Sequence, residues 1–491
     1  DIFVAVFITT SVTNWLSIIC FLSIGLDESL KILADIEFFY SNGEWSDAKE
    51  VIIPNSVTSI GNCAFEGFDS LVKITLPFVG SSENVSDYSS VFGWIFGCYE
   101  YNTSSTESQN KTSSSTDYTS QYPYTYNGYT RYYRNYIPKS LREVEITKQE
   151  IIPNYAFQNC DLIQNITIPG TATSIGSYVF YECNSLKGLN SDVIGDVNIP
   201  LKVTNISKYA FYNCNNIINI TVGNLTSIGK YAFYNNESLR KFNSTVDYSI
   251  NTPTTLNSIG EFAFKNAKLI KTIYVSDSVT SIGNGAFEGT NSLVKITVPF
   301  VGCSDGVSDY TSVFGWIFGC YEYNTSDTES QYKTSASVKY TTQYPYTYNG
   351  YTRYYRYYIP ETIKEVIITS QTSIPKRAFY NCDLISSITI SDNVTIIGSY
   401  AFYECNSLVQ LNSNIYGEVN IPFGVTTIAS YSFYNCSLIE NISVGALTKI
   451  NNYAFDGCKS LVSFNSADKY LINIPSSVLS IGDFAFRDAV L

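Results

Sequence analysis

Apolar residues recur along the chain in a fixed order. In residues 56–77, SVTSIGNCAFEGFDSLVKITLP, they fall at Val57 and Ile60, then Ala64 and Phe65, then Leu71, Ile74 and Leu76. The order returns in residues 278–299, SVTSIGNGAFEGTNSLVKITVP. The stretch LVKITLP alternates and is rich in β-branched residues, which predicts a strand with Leu71, Ile74 and Leu76 largely inward. VTSIG predicts a second short strand. Between them, Ala-Phe is followed by a polar pair and then Cys, Asn or Gly. That segment is too short for a helix and predicts one helical turn, with Gly or Asn reversing the chain. Each unit is thus one coil. A coil cannot bury its apolar edge alone, so neighbours must stack, about 4.8 Å apart where strands pair.

The Phe of this motif stands at Phe65, Phe157, Phe180, Phe211, Phe233, Phe264, Phe287, Phe379, Phe402, Phe433, Phe455 and Phe486. The spacing is about 23 residues, lengthened by about eight in alternate units, and periods of this size mean a solenoid. A larger duplication overlies it, because VFGWIFGCYEYNTS at residues 91–104 returns letter for letter at 313–326. The expected organisation is an apolar N-terminal segment and capping coil over 1–55, a first copy over 56–277 and a second, incomplete copy over 278–491. Each copy carries one insert, over about 78–136 and about 300–358.

The Ala-Phe-x-x-Cys and Leu-x-x-Ile-x-Ile-Pro pattern resembles the BspA-like, Treponema-type leucine-rich repeats. The likeness covers residues 45–491 outside the inserts. Val179 and Ser432 replace the motif Ala, and Asn236, Ala267, Thr290 and Ala489 replace its Cys; all are small or polar enough for the same turn. The resemblance implies a right-handed solenoid with a parallel sheet on one face, built of short strands and single helical turns. It also implies a surface or secreted protein of the kind linked to adhesion.

Composition narrows the chemistry. The net charge of -13 repels phosphate backbones and anionic lipid heads, which argues against nucleic acid as a partner. The chain has no His, so imidazole-based triads and zinc sites with nitrogen ligands are excluded. Acidic residues such as Glu66 and Glu288, or Glu182 and Glu404, follow the repeat as a solvated face does, and no enzyme, cofactor or metal is expected. Residues 2–26 carry no charged side chain. Their length fits an export signal or membrane anchor, the only expected membrane contact, and equally an apolar strand or helix capping the first repeat. Cys160, Cys183, Cys214, Cys382, Cys405, Cys436 and Cys458 share one position of the repeat, which predicts a ladder of buried free thiols; the alternative is a disulfide between adjacent rungs such as Cys160 and Cys183, which the coil spacing brings within bridging range. Cys98 and Cys320, within the inserts, are the better candidates for pairing.

The inserts hold the candidate site. Their first part is rich in Ser, Thr and Asn and predicts a surface loop. Then Tyr122-Pro-Tyr-Thr-Tyr126, Asn127-Gly128 and Tyr129-Thr-Arg-Tyr-Tyr133 predict a β-hairpin with a type I′ turn. A two-residue loop sets Tyr126 opposite Tyr129, Tyr124 opposite Arg131 and Tyr122 opposite Tyr133, all on one face. The second copy supplies Tyr344, Tyr346, Tyr348, Tyr351, Arg353 and Tyr355. Such a face suits a protein or glycan ligand on a surface; the alternative is that the rings lie down on the solenoid and cover its edge. Sequons at Asn84, Asn102, Asn110 and Asn324 are candidate glycosylation sites. Two functions compete, an extracellular adhesin and a homopolymer that stacks end to end into a fibre or sheath.

Overall fold

The computed structural model describes residues 2–9, 15–22, 48–101, 116–126, 129–323, 338–348 and 351–489. The chain forms two compact units, Asp1–Leu225 with Tyr231–Ser238, and Thr226–Lys230 with Leu239–Leu491. Both are repeat solenoids of short parallel strands.

In the first unit the strands Glu50–Ile52, Lys73–Leu76, Glu143–Ile146 and Asn165–Thr167 pair in parallel, each with the next. Gly188–Leu189, Asp196–Asn198 and Asn219–Thr221 continue the same row. In the second unit the row runs without a break from Lys241–Phe242 to Leu471–Ile472. A second row comes from Thr-Ser-Ile and the segments equivalent to it, as in Ile151–Ile152, Ser174–Ile175 and Asn205–Ile206. Between the rows the motif Phe side chains stack coil on coil. Phe157 meets Phe180 at 5.8 Å between centroids, Phe180 meets Phe211 at 4.9 Å, and Phe211 meets Phe233 at 5.4 Å. All four are fully buried.

The Ala-Phe segment differs from the helical turn the sequence predicts. A helix would spend its amides locally; here alternate amides reach the next coil instead. Tyr155 N donates to Ser177 O, Phe157 N to Val179 O and Asn159 N to Tyr181 O, at 2.8–2.9 Å. Facing these amides forward requires left-handed backbone at two positions per turn. In the coil of Phe157 these are Tyr155 (φ 63°) and Asn159 (φ 55°). Left-handed backbone costs a non-glycine residue about 1–2 kcal/mol, which the forward hydrogen bonds and ring stacking offset.

The lengthened units contain two sheet strands for one turn. Gly188–Leu189 and Asp196–Asn198 lie side by side, as do Gln410–Leu411 and Glu418–Asn420, so the extra residues add a rung to the sheet alone. An asparagine makes this possible. Asn412 adopts φ 51°, its Oδ1 accepts from Ile390 N at 2.8 Å, and its carbonyl accepts from Asn420 Nδ2 at 3.2 Å. Asn190 does the same with Ile168 and Asn198. Asn412→Ala should cost about 2–3 kcal/mol in denaturant unfolding, since it strands the Ile390 amide and strains the backbone. Asn412→Gly should recover the strain part. Equal losses from both substitutions would contradict this role.

The inserts do not interrupt the array. Phe92–Ile95 and Phe314–Phe318 form 3-10 turns that take the place of an Ala-Phe turn. Phe65 N donates to Ile95 O, and Phe92 N to Ala156 O; Phe287 N donates to Ile317 O, and Phe314 N to Ala378 O. Phe92 packs on Phe157 at 5.3 Å and Phe314 on Phe379 at 5.2 Å, which carries the aromatic row through the coil. Trp94 and Trp316 donate their indole N–H to the carbonyls of Ile60 and Ile282. Phe78 and Val79 are buried too, so the array reaches further into the insert than the sequence boundary at Phe78 suggests.

At the N-terminus, Ile2–Thr9 and Trp15–Leu22 pair antiparallel and Phe7 stands opposite Ile52. The two described strands of the apolar stretch thus pair with each other, and the first of them meets the first repeat at Ile52. Among the described residues no helix is long and apolar enough to cross a membrane.

Candidate functional site

Each insert builds a three-stranded antiparallel sheet on its coil. Tyr129–Pro138 is the middle strand, flanked by Cys98–Tyr101 and Thr116–Tyr126; Tyr351–Pro360 is flanked by Cys320–Tyr323 and Val338–Tyr348. The backbone pairs Tyr126 with Tyr129, Tyr124 with Arg131 and Tyr122 with Tyr133. It likewise pairs Tyr348 with Tyr351, Tyr346 with Arg353 and Tyr344 with Tyr355. Pro123 and Pro345 occupy the outer strand, where a missing N–H leaves no gap in the ladder. The turn residues Asn127 and Gly128, and the sequons Asn102, Asn110 and Asn324, lie outside the described residues. Asn84 is exposed at a turn.

Of the candidate ligand-face side chains, that of Tyr355 falls among the described residues. It is buried and stacks on Tyr310 at 4.2 Å and 11°. Tyr357, two residues on and so on the same face, is also buried, and its hydroxyl donates to the Tyr310 carbonyl. Gly315 makes room for it, since a Cβ there would lie 2.5 Å from that of Tyr357. At its root the face is therefore packed on the coil. Glu288 clamps the same root: it accepts from the Tyr321 hydroxyl and pairs with Lys265 at 2.9 Å.

A second tyrosine arrangement lies on the turn side. In the first unit Tyr155, Tyr178, Tyr209 and Tyr231 stack in a column at 5.0, 4.5 and 4.6 Å, with interplanar angles of 8–15°. Tyr181, Tyr212 and Tyr234 form a parallel column at 4.7 Å. The second unit repeats this with Tyr400, Tyr431 and Tyr453 beside Tyr380, Tyr403 and Tyr434. There Arg377 lies over Tyr380 and Tyr400, and Arg487 over Tyr453 and Phe484. Burial and the neighbouring phenols of Tyr209 and Tyr155 weaken the acidity of Tyr178. The apolar period of the repeat does not reveal these columns. Their signal is the Tyr before Ala and the Tyr after Phe, as in Tyr209-Ala-Phe-Tyr212.

The BspA type leucine rich repeat family matches residues 36–145, 131–246, 241–305 and 353–491, in six copies. The chain belongs to this family. No curated protein matches the sequence. Among solved structures, a leucine-rich repeat protein from Bacteroides ovatus is 21% identical over 72% of this chain and 94% of its own, with a TM-score of 0.29. A leucine rich cell surface protein from Faecalibacterium prausnitzii is 23% identical over 75% and 83%, with a TM-score of 0.25.

The BspA-type motif cysteines form the thiol ladder that the sequence predicts. Cys183 Sγ donates to Phe157 O and Cys214 Sγ to Phe180 O at 3.0 Å, and Cys405, Cys436 and Cys458 do the same in the second unit. All are free and buried, and burial pushes the Cys458 thiol up to about 12. Cys320, expected as a candidate for pairing, is likewise a free buried thiol, because the hairpin root closes over it. The side chain of Cys98 is outside the described residues. No group of three or more metal-ligating side chains occurs among the described residues.

Proposed function

We propose that this BspA-type protein is a non-enzymatic extracellular surface protein that binds a protein or glycan, acting in adhesion through its tyrosine hairpins and the outer face of its coils. The observation that carries the reading is the root of each hairpin. Strands of 11 and 10 residues stand on a base locked into the aromatic row, so a ligand face beyond that base is held by a rigid scaffold. Preorganised tyrosines contribute contact area at low entropic cost. The sheet face adds two open clefts of about 470 and 440 Å³ beneath the lengthened units, near the exposed Ile415, Tyr416 and Val246.

The test uses the full chain with Tyr124, Tyr126, Tyr129, Tyr346, Tyr348 and Tyr351 replaced by Ser, positions clear of the packed root. Binding to immobilised matrix proteins and glycans should fall by about tenfold or more, with unfolding unchanged. Binding equal to that of the parent chain would remove the hairpins from the reading.

A further inference from the structure

The tyrosine columns bring more phenols into mutual contact than the buried aromatic row requires. Besides stacking between coils, the columns touch within each coil: Tyr178 lies 5.5 Å from Tyr181, Tyr209 lies 5.7 Å from Tyr212, and Tyr231 lies 5.4 Å from Tyr234, tilted by 49–58°. Their faces are taken up by other rings, so the columns have little flat surface left for a sugar or a second chain. The rings are nonetheless half-buried, so each keeps part of its surface open to solvent. The ladder thiols, by contrast, are fully enclosed and held protonated by burial. A small oxidant approaching this surface therefore meets phenols first.

We propose that the columns are a covalent modification site, at which a peroxide-driven one-electron oxidant joins tyrosines of successive coils as dityrosine. Each of two phenols gives up one electron and one proton, and the two phenoxyl radicals couple through ring carbons ortho to oxygen. The hydrogens on those carbons then move to the oxygens and restore both aromatic rings. The two electrons and two protons reduce one hydrogen peroxide to two waters. Coupling within the chain is favoured because each radical already lies within 4.5–5.7 Å of phenols in its own and adjacent coils, whereas a second molecule must diffuse to it. Such bonds would staple neighbouring coils, a role that the free, enclosed ladder thiols leave open. The proposal is independent of what the hairpins bind.

Treating the intact protein with a haem peroxidase and limiting hydrogen peroxide tests it. The monomer fraction, isolated by size and then digested, should fluoresce as dityrosine. It should lose two hydrogens in mass per bond and yield linked peptides joining Tyr178 to Tyr209 or Tyr209 to Tyr231. Tyr178→Phe with Tyr209→Phe keeps the rings and their stacking; it should remove those links while links between Tyr400 and Tyr431 persist. Bonds confined to the hairpins, bonds only between molecules, or the same column links at equal yield from urea-unfolded chain would each overturn the proposal.

Discussion

Phe211→Ala is expected to lower the unfolding free energy of the first unit by about 3–5 kcal/mol. The ring is fully buried between Phe180 and Phe233, and the backbone amide of the same residue is tied to Ala232 O at 2.8 Å. Truncation removes the transfer free energy of a phenyl group and leaves a cavity that the flanking rings cannot close without leaving their own stacks. Repeat arrays are held by nearest-neighbour contacts, so the loss should appear in the first unit's transition and leave that of the second where it was. The half-buried Phe486 provides the contrast: its truncation should cost about 1 kcal/mol, in line with its smaller burial. Denaturant unfolding followed separately for the two units reads both results. A cost under about 1 kcal/mol at Phe211 would mean that the aromatic row is not a packed core.

A steep loss of stability above about pH 9 is expected from the thiol ladder. Burial raises the pKa of Cys160, Cys183, Cys214, Cys382, Cys405, Cys436 and Cys458 above the ordinary value of 9.0. Above that value the unfolded chain releases these protons while the folded chain keeps them. The folded state then binds more protons, and stability falls as pH rises. The stabilisation is complete below the unfolded value and is lost as pH climbs from it toward the folded one, at about 1.4 kcal/mol per pH unit for each thiol. With four ladder thiols against three, the second unit should lose stability faster than the first. Unfolding measured at about pH 8 and about pH 10 checks the slope, and Cys183→Ala should flatten it in the first unit alone. A flat profile over that interval would place the thiols in contact with water.

The repeat, its stacking and the burial of Phe and Cys are legible in the sequence because they rest on periodicity, which the chain states many times over. The conformation of the turn is not. Left-handed backbone is ordinarily read from Gly and Asn, yet here Tyr155, Tyr178, Tyr209 and Tyr231 adopt it, driven by amides that bond forward to the next coil. That preference arises between coils and has no local signature. Phe92-Gly-Trp-Ile95 escapes for another reason: it lacks the Ala-Phe letters while filling the same place in the stack. The hairpin register follows from the two-residue turn and alternation alone, and the backbone shows that pairing. Its packing at Tyr355 depends on Tyr310, which lies far away in sequence and whose loop carries no recognisable pattern.

Within each unit the coils stack so closely that the Phe and Cys rows are sealed from water. Labelling the native protein with a small thiol reagent, and locating the modified cysteines by mass, tests it most directly. Modification is expected at the half-buried Cys63 and Cys303, with Cys160, Cys183, Cys214, Cys382, Cys405, Cys436 and Cys458 protected until denaturant opens their unit. Modification of Cys183 or Cys405 in the native protein at the rate of Cys63 would contradict it.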